Sequence, residues 1–322
     1  AESSDPLLLN WEKIPGCPVI PENVDAVRGA GDPYSVGDPC LWKGKKGYYS
    51  LSGSFKGKLL VDAVPFPQLF FSEDLRNWTY RGPFLEDDVF TAAGEDCAVP
   101  YFWPIGDRHI LPFFSHMSGG QYLLGDYDKE RDKLVVTSGG RFNFGAFGPS
   151  GVHAPSATPD GQGGVIVIFN MNPGLPTEGW NQIMTLPRRL TLVGDDELRM
   201  EPAGDIESLR YDHRHVGTTT LPANQEVVLK GIEGSAMELN LEIDPKDAPM
   251  VELNVLRSPD REEYTRVAFF KDRGIRLQTL AVHSGASLAG GRSVVARYGQ
   301  PRAVSLRESL LTLDSSYSST LP

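Results

Sequence analysis

Gly94 to Phe114 reads GEDCAVPYFWPIGDRHILPFF. Two acids, a thiol, prolines and aromatics crowd its first half, and the second half runs straight into the apolar Ile110-Leu111-Pro112-Phe113-Phe114. Titratable groups leading directly into a short strand mark a strand end or loop at a cavity, carried by a rigid β scaffold. Runs of the same kind recur at Tyr48–Ser52, Gln68–Phe71, Tyr122–Leu124, Val165–Phe169 and Gln182–Leu186. Turn-forming residues separate them, and Gly (34) and Pro (25) together exceed a sixth of the 322 residues. Short, evenly spaced strands between turn clusters predict an all-β fold. Val165–Phe169, apolar throughout, is expected to be a central strand buried on both faces.

The character changes near Glu201–His215, which is polar and punctuated. Met237–Ile243 and Val251–Leu256 beyond it alternate apolar and polar residues, the period of strands with one solvated face. Two domains are therefore expected, 1–205 and 206–322, the second a β-sandwich. The closing LDSSYSSTLP reads as a turn-rich tail rather than a strand, which makes the sandwich look incomplete. Within the first part, Asp5–Trp11 and Asp74–Trp78 share an acid, a Leu and an Asn-Trp pair, a faint internal repeat of the kind that propeller blades show.

Charge narrows the partners. With 31 basic and 42 acidic residues the net charge is -11, which argues against nucleic acid or an anionic membrane surface and suits a neutral, hydroxyl-rich ligand. No apolar run reaches the ~18 residues of a membrane span. Cys17, Cys40 and Cys97 are sparse and odd in number, which predicts buried free thiols rather than a disulfide framework. His213 and His215 have no carboxylate or thiol partner at metal-ligand spacing, so no metal is expected there.

Four stretches in order carry a resemblance: SSDPLLLNWEKIP (3–15), GDPCLWKGKKGYYSLSGS (37–54), PYFWPIGDRHIL (100–111) and GWNQIMTLPRRLTL (179–192), with HAPSATPDGQGGVIVIFNM (153–171) in the same frame. Together they resemble glycoside hydrolase family 32, the invertase, levanase and inulinase group. That resemblance implies a five-bladed β-propeller followed by a β-sandwich. It also implies retaining hydrolysis of fructose-containing oligo- or polysaccharides by three acids, without cofactor. One Asp is the nucleophile, a Glu is the acid/base and a second Asp binds ring hydroxyls as the transition state forms. In a retaining enzyme the nucleophile and acid carboxyls lie about 5–5.5 Å apart.

Carried onto this chain, the resemblance makes Asp38 the transition-state stabiliser, in Asp38-Pro39-Cys40-Leu41-Trp42, with Gly37 where the family has Arg. Asp32-Pro33 is a decoy, followed by Tyr-Ser instead of an apolar-aromatic pair. The acid/base admits two placements. A gapless match on Pro100, Phe102, Trp103 and Pro104 sets Ala98 at the Glu position and Tyr101 at an Asp position. A match that allows an insertion keeps an acid, Glu95, with Asp96 in reserve because it shares a strand face with Ala98. Tyr101, Trp103 and His153 are candidate sugar contacts, and His116 a further one.

The nucleophile's Asn-Asp-Pro-Asn-Gly type of motif is absent from the chain. At about 40–50 residues per blade, ~200 residues make about four blades. The expectation is an incomplete propeller whose first blade lies upstream or comes from a partner segment, or else a carbohydrate-binding relative that has lost turnover.

Overall fold

The computed structural model describes residues 1–21, 34, 36–53, 67–92, 95–142, 151–172, 178–234, 236–261, 263–272, 274–281, 293–298 and 309–318; Asp32-Pro33 lies outside them. The chain divides into two compact units, Ala1–Gly204 and Asp205–Pro322.

The first unit holds three sheets. β1 (Pro39–Lys43), β2 (Tyr48–Ser52), β3 (Gln68–Ser72) and β4 (Thr79–Pro83) form an antiparallel meander in chain order. The second sheet has β5 (Leu85–Glu86), β6 (Trp103–Ile105), β7 (Arg108–Ser115), β8 (Gly119–Asp128) and β9 (Lys133–Arg141), in the order β5-β9-β8-β7-β6. Neighbours among β6 to β9 are antiparallel, and only the two-residue β5 runs parallel to β9. The third comprises β10 (Gly151–Pro159), β11 (Val165–Asn172), β12 (Ile183–Met184), β13 (Arg188–Val193) and β14 (Glu197–Pro202), ordered β10-β11-β13-β14 with β12 also on β11.

The middle sheet is buried on both faces, which explains why Ile110–Phe114 is apolar throughout. Leu111, Phe113 and Leu123 face one core with Leu51, Leu69 and Phe84 of the first sheet's neighbourhood. Ile110 and Leu124 face the other with Val165, Val167, Phe169 and Leu190 of the third. Four-stranded meanders stacked face to face through two cores are propeller blades. On β11 the expectation needs a correction. Val165, Val167 and Phe169 are buried, but Ile166 and Ile168 on the opposite face are only partly so, because that strand covers a core on one side alone.

The internal repeat is a real structural repeat. In both copies an Asp carboxylate gathers the turn: Asp5 accepts from the N–H of Leu7 and Leu9 and the amide of Asn10, and Asp74 from the N–H of Arg76 and Asn77 and the amide of Asn77. Both place a Leu at positive φ, Leu8 at 55° and Leu75 at 64°. In both, the following indole N–H closes on that Leu's carbonyl, Trp11 on Leu8 and Trp78 on Leu75.

The second unit is a two-sheet sandwich. β15 (Arg214–Leu221), β17 (Met237–Asp244) and β22 (Ser309–Ser318) form a three-stranded sheet with β22 in the middle. β16 (Glu226–Glu233), β18 (Met250–Arg257), β19 (Glu263–Phe270), β20 (Gly274–Ala281) and β21 (Ser293–Tyr298) form a five-stranded one. The tail expected to be turn-like is thus mostly a strand, paired on both sides with β15 and β17. Its serines satisfied the turn criterion locally, whereas ladders on both flanks fix its backbone. β17 alternates as expected, with Leu239, Leu241 and Ile243 against the core and Glu238, Asn240 and Glu242 outward. β18 does not: Glu252 and Asn254, expected to be solvated, are buried. Asn254 donates to Glu252 at 2.9 Å, and Arg266 lies 3.8 Å from that carboxylate.

Candidate active site

Asp38 stands at the corner that opens β1. Gly37 donates its N–H to the Ser52 hydroxyl at 2.8 Å, and Gly53 donates to the Asp38 carbonyl, which ties the corner to the end of β2. The half-buried Asp38 carboxylate then accepts the main-chain N–H of Val99 at 3.3 Å. Gly53 explains how the two segments come so close. A Cβ there would sit 2.4 Å from the Cys97 carbonyl oxygen and 2.8 Å from Pro100, so only Gly fits.

The acid stretch runs beside β7 and meets it at one isolated bridge, with a bulge after it. Ala98 and Phe114 exchange both main-chain hydrogen bonds at 2.9 Å, whereas Trp103 lies opposite Ile110. Five steps from Ala98 to Trp103 therefore face four from Phe114 to Ile110, and the surplus residue falls beside Val99. Val99 has φ 43°. A β-branched residue in left-handed backbone is a strained conformation that the surroundings must hold, and such strain collects at functional sites. A one-residue bulge thus follows Ala98.

Asp96 and Glu95 are both engaged. Asp96 is buried, accepts the His116 N–H at 2.9 Å and meets His116 Nδ1 at 2.6 Å. Glu95 accepts the Ala92 N–H at 2.9 Å and the Ser118 hydroxyl, which in turn accepts from the Gln121 amide. Two consecutive acids therefore grip the turn between β7 and β8. His153 reaches the same neighbourhood from β10, where a bulge and Ala154 at φ 47° turn the strand. The rings of His116 and His153 both lie 4.9 Å from that of Phe114. Burial, and secondarily the nearby His116, holds the His153 imidazole below its usual range, so it is neutral near pH 7. Its Nε2 is buried with no hydrogen-bond partner among the described residues.

Trp103 and Tyr101 sit differently from the expectation. Trp103 donates its indole N–H to the Ala157 carbonyl at 2.9 Å and packs on the core between the second and third sheets. Tyr101 packs against both propeller cores. Aromatics in a stretch this apolar serve blade packing as readily as a sugar, and composition does not separate the two uses. Sequence reasoning proposed His116 without its carboxylate. No local signal pairs them, since Asp96 and His116 meet only through the long-range register that sets Ala98 opposite Phe114. The serine and glutamine behind Glu95 carried no sequence signal. Of the cysteines, Cys40 and Cys97 are buried free thiols, but Cys17 is exposed, because the turn at 15–18 lies outside the cores.

The model of the glycosyl hydrolases family 32 N-terminal domain matches residues 1–202. The chain belongs to glycoside hydrolase family 32. Among curated relatives it is 23% identical over 283 residues to a cell wall isozyme of β-fructofuranosidase from Pisum sativum, covering 77% of this chain and 48% of that protein. It is 21% identical over 280 residues to a levanase of Bacillus subtilis (strain 168), covering 80% and 39%. This family 32 chain thus spans about half or less of the length of these relatives. Among solved structures it is similar to a Bombyx mori family 32 β-fructofuranosidase (TM-score 0.66, 19% identity, 95% of this chain and 69% of that one). It is likewise similar to fructan 1-exohydrolase IIa of Cichorium intybus in complex with 1-kestose (TM-score 0.68, 15% identity, 98% and 77%). At such identities the likeness carries the fold, a propeller of the five-bladed type followed by a β-sandwich.

Proposed function

We infer that the whole protein cleaves or transfers β-fructosyl units of sucrose-, inulin- or levan-type substrates by a retaining mechanism, and that this chain contributes two of its acid-bearing segments. The observation that carries the reading is the hydrogen bond from Val99 to Asp38. It joins the family's Asp-Pro corner to its acid/base stretch, 61 residues on, at the ends of adjacent sheets. Asp38 takes the stabiliser's role, its carboxylate accepting fructosyl hydroxyls as positive charge grows at the anomeric carbon. The proton for the leaving oxygen comes from the Glu95-Asp96 side, and His153, neutral and with an unsatisfied ring nitrogen, suits a sugar hydroxyl. The nucleophilic carboxylate's motif is not in these 322 residues, so the reading concerns the whole protein. That the relatives are named β-fructofuranosidase and levanase supports it.

The experiment is incubation of the whole protein with sucrose, inulin and levan, with free fructose as the readout. Fructose from at least one of them supports the reading. Calorimetric binding without fructose from any supports instead a carbohydrate-binding relative, which Ala98 and Gly37 at two family positions would suit.

A further inference from the structure

Ser52 is a buried hydroxyl for which the reaction has no direct use. It ends β2 at 1% exposure, and among the described residues its partners are all main-chain groups. It accepts the Gly37 N–H at 2.8 Å, and its single proton serves the Gly37 carbonyl at 3.3 Å and the Gly53 carbonyl at 3.4 Å. A hydroxyl so engaged has nothing left for a substrate, and it acts on the backbone alone.

That backbone carries Asp38. Gly37 stands directly before it, where the family has Arg, and a residue without Cβ leaves its own φ and ψ wide open. Holding both the N–H and the carbonyl of Gly37 removes that freedom. On the other side Pro39 confines Asp38 to extended backbone. Gly53 donates its N–H to the Asp38 carbonyl at 3.3 Å, and the carboxylate itself accepts from Val99. Ser52 thus completes a corner in which the main chain on both sides of Asp38 is fixed. The restraint matters because a group that stabilises charge in a transition state acts only if it is in place beforehand. A displacement of about 1 Å can cost about 10²-fold in rate.

We propose that Ser52 is a positioning residue of the β-fructosyl site: it immobilises Gly37 and so keeps the Asp38 carboxylate where fructosyl hydroxyls meet it. This rests on the β-fructosidase reading above, with Asp38 as the stabiliser.

The test is a double-mutant cycle in the whole protein, read as kcat and KM on whichever of sucrose, inulin and levan it turns over fastest. Ser52→Ala should lower kcat by roughly 10–10²-fold and leave KM within about threefold of wild type. In an Asp38→Asn background, where the stabilising charge is already gone, the same substitution should cost less than about threefold. A hydroxyl that served the fold alone would cost the same in both backgrounds. Ser52→Cys, close in volume and only a weak hydrogen-bonding group, should show the same pattern and carries the test if Ser52→Ala does not fold. Equal losses in both backgrounds, a loss confined to KM, an unchanged kcat, or loss of the thermal unfolding transition in both variants overturns the proposal and leaves the β-fructosidase reading standing. A wild-type protein that frees no fructose from any of the three substrates overturns that reading, and the proposal with it.

Discussion

The Asp38 carboxylate and the Val99 N–H lie 3.3 Å apart, and Val99 holds a left-handed φ of 43° to make that contact. A charged acceptor compensates the strain of a β-branched residue at positive φ, since hydrogen bonds to charged groups contribute about 1.5–3 kcal/mol against a strain of about 1–3. Two segments far apart in sequence are thereby joined at Asp38 and Val99.

Asp38→Asn keeps an acceptor for Val99 and removes the charge. Turnover of β-fructosides should fall by about 10²–10³, as for loss of one transition-state hydrogen-bonding group, mainly in kcat. The melting temperature should change little. A loss confined to KM would make Asp38 a ground-state contact.

Gly53→Ala should do the reverse, acting first on the fold. Its Cβ would meet the Cys97 carbonyl at 2.4 Å, a backbone atom that cannot swing aside. Destabilisation of about 1–3 kcal/mol is expected from such overpacking, measured by denaturant unfolding. Activity should fall as the Asp38 corner moves off the acid stretch.

The pH dependence of stability has a definite sign. His109 stacks on Phe102 at 5.1 Å, and burial, then the charge of Lys129, lowers its pKa from 6.5 to about 4, against a smaller opposing effect of Asp126. Above 6.5 the ring is neutral in both states. Between 6.5 and about 4 only the unfolded chain takes up the proton, so stability falls as pH falls through this window. The full shift would correspond to about 3 kcal/mol, and solvent screening of this half-buried ring makes the loss smaller. His109→Phe should flatten the melting temperature between pH 7 and 4, and an unchanged slope would contradict the assignment.

The repeated turn can be tested locally. Asp74→Ala removes the acceptor of the Arg76 and Asn77 N–H groups. Amide exchange there should accelerate, whereas in Glu73→Ala it should stay at the wild-type rate. Similar rates in both variants would show that the Leu75–Trp78 closure holds the turn by itself.

Strand period and turn chemistry made the β architecture legible, because Tyr48–Ser52 and Ile110–Phe114 are buried strands whose composition leaves no alternative. The Asp-Pro corner was legible too, since its motif is local. The 309–318 strand was not, because its ladders with β15 and β17 are long-range and its serines read locally as turns. Nor was the Asp96–His116 pair, twenty residues apart, which exists only through the register set at Ala98 and Phe114. Glu252 and Asn254 misled for a similar reason: alternation tells which face a residue takes, and not whether water reaches it.

The most direct measurement is the release of free fructose from sucrose, inulin and levan by the whole protein, with Asp38→Asn assayed beside it. Wild type should liberate fructose from at least one of the three, and Asp38→Asn should do so about 10²–10³ times more slowly. No fructose from any substrate, or an Asp38→Asn variant as fast as wild type, would contradict a fructosyl-transferring site built on Asp38.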